Sequence, residues 1–451
     1  MLEGHKWFHF IGIGGIGMSA LAHILVSLGH KVTGSDLNES EVTKRLQGMG
    51  IEIFFQHSRD NISREVDVGV VSTAINNDNV ELAQCQQLNI SVIHRGELLA
   101  HIFNPGKGIA VAGAHGKTTT TGMLAVALEE CKLSPTVLIG GDLPYFQGNA
   151  KKGTGQLIVA EADESDGSFL KLQPHIGVIT NIEDDHLDYY GTIEKVEEAF
   201  FRFCYRIAER GIIIACSDDQ QVKKLLKDIR NKLTYGLESG DLTAKNIKHQ
   251  GLSVAADIFY QEKMIGKLVL NVPGRHNLLN ALAVIGVGIY LGLEMEEVLK
   301  GLSLFTGVKR RFQIISQVKD IKIIDDYAHH PTEIMATLKA ARSVAPNNRV
   351  IAIFQPHRYS RTKSLFVQFA NAFYDADIVL LDKIYSAGEK PISEVSSQMI
   401  IDQMQHPNVS YCQGRQKIID RLKELIKPGD LVITMGAGDI WRVAYELANE
   451  I

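Results

Sequence analysis

A chain of 451 residues is long enough for about three domains of the usual ~150 residues each. Its 45% hydrophobic content supports real cores, and a net charge of −5 excludes the basic field of a general nucleic-acid or membrane-surface binder. The five cysteines, Cys85, Cys131, Cys204, Cys216 and Cys412, lack zinc or disulfide spacing, no apolar run is bilayer-long, and a strand starts at Trp7 with no signal peptide before it, so the expected setting is the reducing cytoplasm.

Trp7-Phe-His-Phe-Ile-Gly-Ile13 reads as a strand that runs into Gly12-Ile-Gly14-Gly15-Ile-Gly17, followed by an apolar helix from Met18 to about Leu28. Lys31 to Asp36 is the next strand and ends in an acid. Together they match G-x-G-x-x-G with an acidic residue about 20 positions on, the fingerprint of a diphosphate held at a helix N-terminus. NAD satisfies that pattern, with Asp36 on a ribose, and so does a nucleotide-sugar diphosphate. Val68 to Ala74 places Ser72 at the end of a strand, and Ser91 to His94 places His94 and Arg95 likewise, on the usual ligand edge of such a sheet. Asn104-Pro-Gly106 is a turn and the expected end of a first domain, residues 1–104.

The second domain, expected over 105–306, opens with a buried strand, Gly108–Ala112, and a helix from Lys117 to about Cys131. Between them lies Gly113-Ala114-His115-Gly116-Lys117-Thr118-Thr119. Glycines there let backbone N–H groups approach a polyphosphate, the helix N-terminus adds partial positive charge, Lys117 reaches the outer phosphates and the Thr118 hydroxyl holds Mg²⁺. The spelling is not the standard P-loop: Val111 stands where the first glycine belongs. A strand from Gln156 ends in Glu161-Ala-Asp163-Glu164-Ser-Asp166, and carboxylates beside a triphosphate imply an intervening metal. Ile176 to Thr180 is a strand followed by Asn181 and then His186 among acids. Further strands are read at Gly211–Ala215 and Lys232–Tyr235. Arg275-His-Asn277 leads a helix from Leu278 to Leu293 that is apolar nearly all round and so buried. Asn277 suits an adenine edge or an N-cap, and the two are compatible.

The third domain, expected over 307–451, starts from a linker with a basic cluster, Lys309-Arg310-Arg311. Ile321 to Tyr327 is a strand carrying Asp325 and Asp326, and Pro331 suits the first position of the helix after it. Arg349–Phe354 is a strand followed by Gln355-Pro-His357-Arg358-Tyr-Ser-Arg361-Thr362, where the two arginines share one face of a loop or first helical turn. Asp377–Leu381 and Asp430–Thr434 complete another doubly wound sheet. The fold class is therefore α/β, with an N-terminal Rossmann-like domain, a central P-loop ATPase-like domain and a C-terminal Rossmann-like domain.

These motifs in this order resemble the Mur ligases of peptidoglycan synthesis. The likeness rests on Gly12 to Ala20, Gly113 to Thr121, Glu161 to Asp166, Thr180 to Asp188, Gly274 to Asn277, Asp325 to Pro331 and Phe354 to Thr362, and it spans essentially the whole chain. It implies an ATP- and Mg²⁺-dependent amide ligase that joins L-alanine to UDP-N-acetylmuramate through an acyl phosphate. The family alternative is a recycling ligase that adds a tripeptide to the same sugar nucleotide.

The resemblance further implies a UDP-sugar domain, an ATP domain and a C-terminal domain that closes over both. It puts Thr118, Glu161 and His186 on the metals, Asn277 on adenine, Asp326 on the ribose and Arg311 on the γ-phosphate. Tyr327, His357, Arg358 and Arg361 face the amino acid and the reacting carboxylate. Gly15, Gly17, Ser19, Asp36, Ser72, His94 and Arg95 are assigned to the UDP-sugar. Lys117, His186, Arg358 and Arg361 form the catalytic set. No nucleic-acid partner and no membrane insertion are expected, and the chain is read as a monomer or homodimer. An NAD-dependent oxidoreductase or a nucleotide-sensing module accounts for the first glycine loop alone, but the second phosphate loop at Lys117 argues against both.

Overall fold

The computed structural model describes residues 2–183, 187–207 and 211–451. Strands that are apolar on both faces need helices on both faces, and the first one sets that pattern. In β1 (Trp7–Ile11) every residue after Trp7 is buried. Around it come α1 (Ile16–Ser27), β2 (Lys31–Ser35), α2 (Glu41–Gly48), β3 (Glu52–Phe54), β4 (Val68–Val71), α3 (Val80–Gln87), β5 (Ser91–His94) and α4 (Arg95–Phe103). The sheet is parallel, in the order β3-β2-β1-β4-β5. The chain moves outward from β1 and then crosses back to β4, so the order reverses between these two strands. Gly12 and Ser72 follow them at that crevice, where doubly wound sheets bind ligands. β1 stops two residues short of the expected Ile13, because Gly12 takes φ +81° and turns the chain. The N–H groups of Gly12 and Ile13 then both donate to the Ser35 carbonyl, each at 2.9 Å.

The second sheet contains β6 (Lys107–Ala112), β7 (Thr136–Leu143), β8 (Gly148–Lys151), β9 (Leu157–Glu161), β10 (Ile176–Ile179), β11 (Ile212–Cys216), β12 (Lys232–Gly236), β13 (Leu242–Gln250), β14 (Ser253–Tyr260) and β15 (Lys263–Leu270). Its helices are α5 (Lys117–Glu130), α6 (Leu187–Tyr190), α7 (Ile193–Cys204), α8 (Gln220–Leu225), α9 (Arg275–Tyr290) and α10 (Met295–Leu304). The order β15-β14-β13-β12-β11-β10-β6-β9-β7-β8 puts β6 in the interior, parallel to both neighbours, β9 and β10. The phosphate loop therefore leaves the C-terminal end of a strand flanked by two other strand ends. Helix α5 is buried from Thr118 to Leu128. Five strands escape the reading of the sequence: β7, β8, β13, β14 and β15. In β14 the buried positions Val254, Ala256 and Ile258 alternate with partly exposed ones, so no continuous apolar run marks it. Helix α9 starts three residues before the expected Leu278. This places Asn277 inside the first turn, not at the N-cap, with its Nδ2 donating to the Pro273 carbonyl at 2.7 Å.

The third sheet contains β16 (Gln313–Val318), β17 (Ile321–Asp326), β18 (Val350–Phe354), β19 (Ile378–Leu381), β20 (Val409–Tyr411) and β21 (Leu431–Met435), in the order β16-β17-β21-β18-β19-β20. Only the edge strand β16 is antiparallel to its neighbour. Five helices accompany it: α11 (Pro331–Val344), α12 (Tyr359–Ala370), α13 (Gln398–Gln403), α14 (Arg415–Leu425) and α15 (Trp441–Glu450). Ile324, Ala352, Phe354 and Ile433 pack with Leu338 of α11 and Phe369 of α12 on one face. Ile323, Ile351, Ile353 and Val432 pack with Leu422 of α14 and Leu447 of α15 on the other. Pro331 is the first residue of α11, as its missing N–H suits.

Two compact units result. One comprises Met1–Lys245, Asp257–Leu268 and Leu279–Phe305; the other comprises Asn246–Ala256, Val269–Leu278 and Thr306–Ile451. Within the first unit, the turn at Asn104–Gly106 separates two sheets that share one apolar core, running from Phe8 to Leu226. Polar contacts cross the same seam: Arg45 pairs with Asp142 at 2.8 Å, and Asn149 donates to the Ile16 carbonyl at 2.7 Å and to the Ser19 hydroxyl at 3.0 Å. Among the described residues no helix is long and apolar enough to cross a membrane.

Candidate active site

The loop after β6 is shaped by backbone that only glycine adopts readily. Gly113 has φ +137° and Gly116 has φ +83°. A Cβ at Gly113 would lie 2.0 Å from the Thr180 hydroxyl, and one at Gly116 would lie 2.7 Å from Asn280 Oδ1. The end of β10 braces the loop. Thr180 donates to the His115 carbonyl at 2.6 Å, Asn181 Nδ2 donates to the same oxygen at 3.0 Å, and the His115 N–H donates to Asn181 Oδ1 at 2.8 Å. Ala114 and Thr119 complete the loop and the first turn of α5. The polar turn after β10 is legible as ligand-like. Its bracing role is not, and neither is the close approach of Asn280, one helical turn beyond Asn277, to Gly116.

Lys117 opens α5 and folds back over this loop. Its ammonium reaches the Gly113 carbonyl at 2.6 Å and both carboxylate oxygens of Glu164, at 2.7 and 2.9 Å. Burial disfavours the charge, but Glu164, Asp163 and Glu161 outweigh it and raise the lysine above its ordinary value. Thr118 donates to Glu161 at 3.1 Å. Two oxygens each about 2.1 Å from one octahedral Mg²⁺ lie about 3.0 Å apart, so this hard-oxygen pair fits as neighbouring ligands of that ion. His186, expected beside them, lies outside the described residues.

The acidic turn after β9 faces the N-terminal sheet as well. Arg95, the first residue of α4, holds Asp163 at 2.7 Å and Asp166 at 3.1 Å. Burial alone would raise the Asp163 carboxyl, yet Lys117 and Arg95 hold it well below the usual carboxylate range. Gly17 lies beside the same guanidinium, since a Cβ there would be 3.4 Å from Arg95 Nη1. His94 caps α4, accepting from the Gly96 N–H at 3.2 Å, and burial lowers its pKa.

In the first glycine loop, Asp36 accepts from the Gly14 N–H at 2.9 Å, and a Cβ at Gly15 would have the Gly12 carbonyl at 3.5 Å. Asp36 thus shapes the loop on which a diphosphate would sit. Ser19 is 1% exposed and serves the Asn149 contact across the seam. Ser72 follows β4 and is partly exposed. A buried hub carries no mark in the sequence: the Ser35 hydroxyl donates to Glu81, whose carboxylate also meets His57 at 2.9 Å and Asn61 at 2.6 Å. A lone Glu at the start of a helix ordinarily signals nothing but a favourable dipole.

The second unit gathers its own charged set at the C-terminal ends of β17 and β18. Asp326 accepts from the N–H groups of Phe312, at 2.6 Å, and Ala328, at 2.7 Å. Burial pushes its carboxyl up to about 6, against the pull of Arg311 and those two N–H groups. Arg311 reaches Glu333 at 3.4 Å, and both Arg310 and Arg311 lie over the Tyr327 ring. Arg358 sits at the N-cap of α12 and Arg361 in its first turn. The φ of Arg358 is +72°, a strained conformation for a residue with a side chain, and its N–H is tied to the Tyr385 carbonyl at 2.8 Å. His357 stacks on Tyr385 with ring centroids 5.6 Å apart. Burial first, then His329, Arg361, Arg358 and Arg310, push its imidazole down to about 3. Nothing in the sequence marks Tyr385 or the role of the buried Gln355, which donates to Asp382 at 3.0 Å and Asp439 at 2.9 Å.

Three family models match the chain in succession: Mur ligase family, catalytic domain, over residues 8–106; Mur ligase middle domain, over 111–288; and Mur ligase, glutamate ligase domain, over 310–438. The chain is similar to the UDP-N-acetylmuramate–L-alanine ligase of Pelotomaculum thermopropionicum, at 49% identity covering 100% of this chain and 98% of that one. The enzyme of the same name from Desulforamulus reducens is 47% identical, covering 99% and 98%. Among solved structures, the UDP-N-acetylmuramate–alanine ligase of Thermotoga maritima superposes with a TM-score of 0.85 at 32% identity over 99% of both chains. A murein peptide ligase from Psychrobacter arcticus gives a TM-score of 0.73 at 25% identity over 98% of both. Matched along its full length by relatives at nearly half identity, and carrying both glycine loops in place, this chain belongs to the Mur ligase family.

Proposed function

We infer that the protein joins L-alanine to the carboxylate of UDP-N-acetylmuramate at the expense of ATP, giving UDP-N-acetylmuramoyl-L-alanine, ADP and phosphate in peptidoglycan synthesis. The observation that carries this reading is the end-to-end likeness to two ligases named for that reaction. A carboxylate is a poor electrophile, so an amide forms in water only after activation. The muramyl carboxylate attacks the γ-phosphorus, giving an acyl phosphate and ADP. The amine of alanine then attacks the acyl carbon, a tetrahedral intermediate forms, and phosphate leaves. Anions meet at each stage, which calls for preorganised positive charge and N–H donors more than for a protein nucleophile.

In this reading the loop from Gly113 to Thr119 cradles the phosphates, the Ala114 and His115 N–H groups bracing it through Asn181, and Lys117 binds the outer ones. Thr118, Glu161 and His186 would hold Mg²⁺, which when bound offsets phosphate charge. Gly15, Gly17, Asp36, Ser72, His94 and Arg95 serve the UDP-sugar. Asn277, Asp326 and Arg311 serve the adenine, ribose and γ-phosphate. Tyr327, His357, Arg358 and Arg361 serve the amino acid and the reacting carboxylate. The domain over 1–104 then takes the sugar nucleotide, that over 105–306 most of the ATP, and that over 307–451 the amino acid together with the groups that complete the ATP site. We place the activity in the cytoplasm, with ATP and reduced thiols.

Phosphate release from ATP, measured with UDP-N-acetylmuramate and L-alanine, L-serine, glycine or a tripeptide in turn, tests this. Release with alanine is expected. Release with the tripeptide alone would reassign the chain to peptide recycling. Lys117→Ala should cost on the order of 10²-fold or more in turnover and leave UDP-sugar affinity nearly unchanged.

A further inference from the structure

Glu164 stands out in the acidic turn because its partner is the phosphate-loop lysine itself. Both of its carboxylate oxygens lie within 2.9 Å of Lys117 Nζ. The same ammonium meets the carbonyls of Gly113, at 2.6 Å, and Ala114, at 3.3 Å, so its three N–H donors have takers on its own loop and on Glu164. The Glu164 side chain is 3% exposed. The backbone around it is held from α6 and from within its own turn: Tyr190 donates to the Glu164 carbonyl at 2.6 Å, and the Gly167 N–H donates to it at 3.0 Å.

A carboxylate and a phosphate oxygen ask the same thing of an ammonium group. We propose that Glu164 is a positioning residue that holds Lys117 folded against its loop and yields the ammonium to the phosphates of the nucleotide. The proposal rests on the reading of Lys117 as a phosphate ligand. Its physical content is a competition. When phosphates take Lys117, the buried carboxylate of Glu164 loses an ion-pair partner, and that loss is charged against nucleotide affinity. Removing the carboxylate's charge removes the competitor and also the group that aims the lysine, so affinity and turnover should part company.

The experiment is titration of the full-length protein with ADP in EDTA, so that no metal contributes, for wild type, Glu164→Gln and Glu164→Asp, together with steady-state ligation kinetics. Glu164→Gln should bind ADP about tenfold or more tightly than wild type, the scale of one hydrogen bond to a charged group. KM for ATP should fall while kcat does not rise. Glu164→Asp keeps the charge but is one methylene too short for the two-oxygen grip, so it should also bind ADP more tightly. It carries the test if the glutamine variant fails to fold. ADP affinity unchanged or weakened in the variants that fold overturns the proposal. A tighter Glu164→Gln beside an aspartate variant identical to wild type would mean a general field effect, and overturns it too. Failure of wild type to bind ADP at all would instead sink the assignment of Lys117.

Discussion

Arg95 donates to Asp163 at 2.7 Å, joining the first residue of α4 to the acidic turn after β9. One guanidinium thereby holds the strip of carboxylates whose next member grips Lys117. Both side chains are largely withdrawn from water, 20% and 32% exposed. Removing one partner leaves the other charged and poorly solvated.

Arg95→Met should therefore lower unfolding stability by about 1–3 kcal/mol, less than a fully buried pair would lose. Asp163→Asn in the same background should add much less than it does alone. Urea unfolding of the four proteins of that cycle measures the coupling. Strict additivity would show that the contact contributes nothing.

Gly113→Ala should disable the phosphate loop. Its φ of +137° and the Thr180 hydroxyl 2.0 Å from the new methyl leave no room without moving the β10 end. ATP affinity should fall by about tenfold or more, since backbone N–H groups lose their aim, while UDP-sugar affinity holds. Calorimetric titration of both ligands decides it, and equal loss for both would point to general unfolding.

Thr118→Val is isosteric and removes one proposed metal ligand without touching Lys117. The Mg²⁺ concentration for half-maximal activity should rise, and excess Mg²⁺ should restore part of the rate. An unaltered Mg²⁺ titration would leave Thr118 as a partner of Glu161 only, through their 3.1 Å hydrogen bond.

His357 makes stability pH-dependent. Its folded pKa of about 3 lies below the unfolded value of about 6.5. The neutral form is the one the fold favours, so its contribution is complete above pH 6.5. As pH falls from there toward 3, the unfolded chain takes up a proton that the folded chain refuses, and stability drops by up to about 1.4 kcal/mol per pH unit. His9 and His276, both lowered to about 4 mainly by burial, add to the wild-type slope. His357→Gln should therefore flatten that slope between pH 6.5 and 5 in urea unfolding. An unchanged slope would mean that His357 is protonated in the fold as readily as in the unfolded chain.

Local sequence sufficed wherever the chemistry is local. The two glycine loops, the lysine that opens α5, the acids that end β9 and the arginines at the start of α12 were legible because a strand-to-helix turn needs particular residues at particular offsets. Mostly apolar runs likewise mark β1, β6 and β18, whose residues after the first are all buried. The polar strands β13 to β15, which end the second sheet on one side, leave no such trace, since half-buried alternation in a polar stretch resembles a loop. The glycine loops also announced a phosphate, but not what Lys117 touches. Its partner Glu164 stands 47 residues away, and Arg95 lies 68 residues before Asp163. Tertiary structure alone brings those charges together, because ion pairing depends on separation in space and on shelter from water, and neither is encoded in the spacing of residues along the chain.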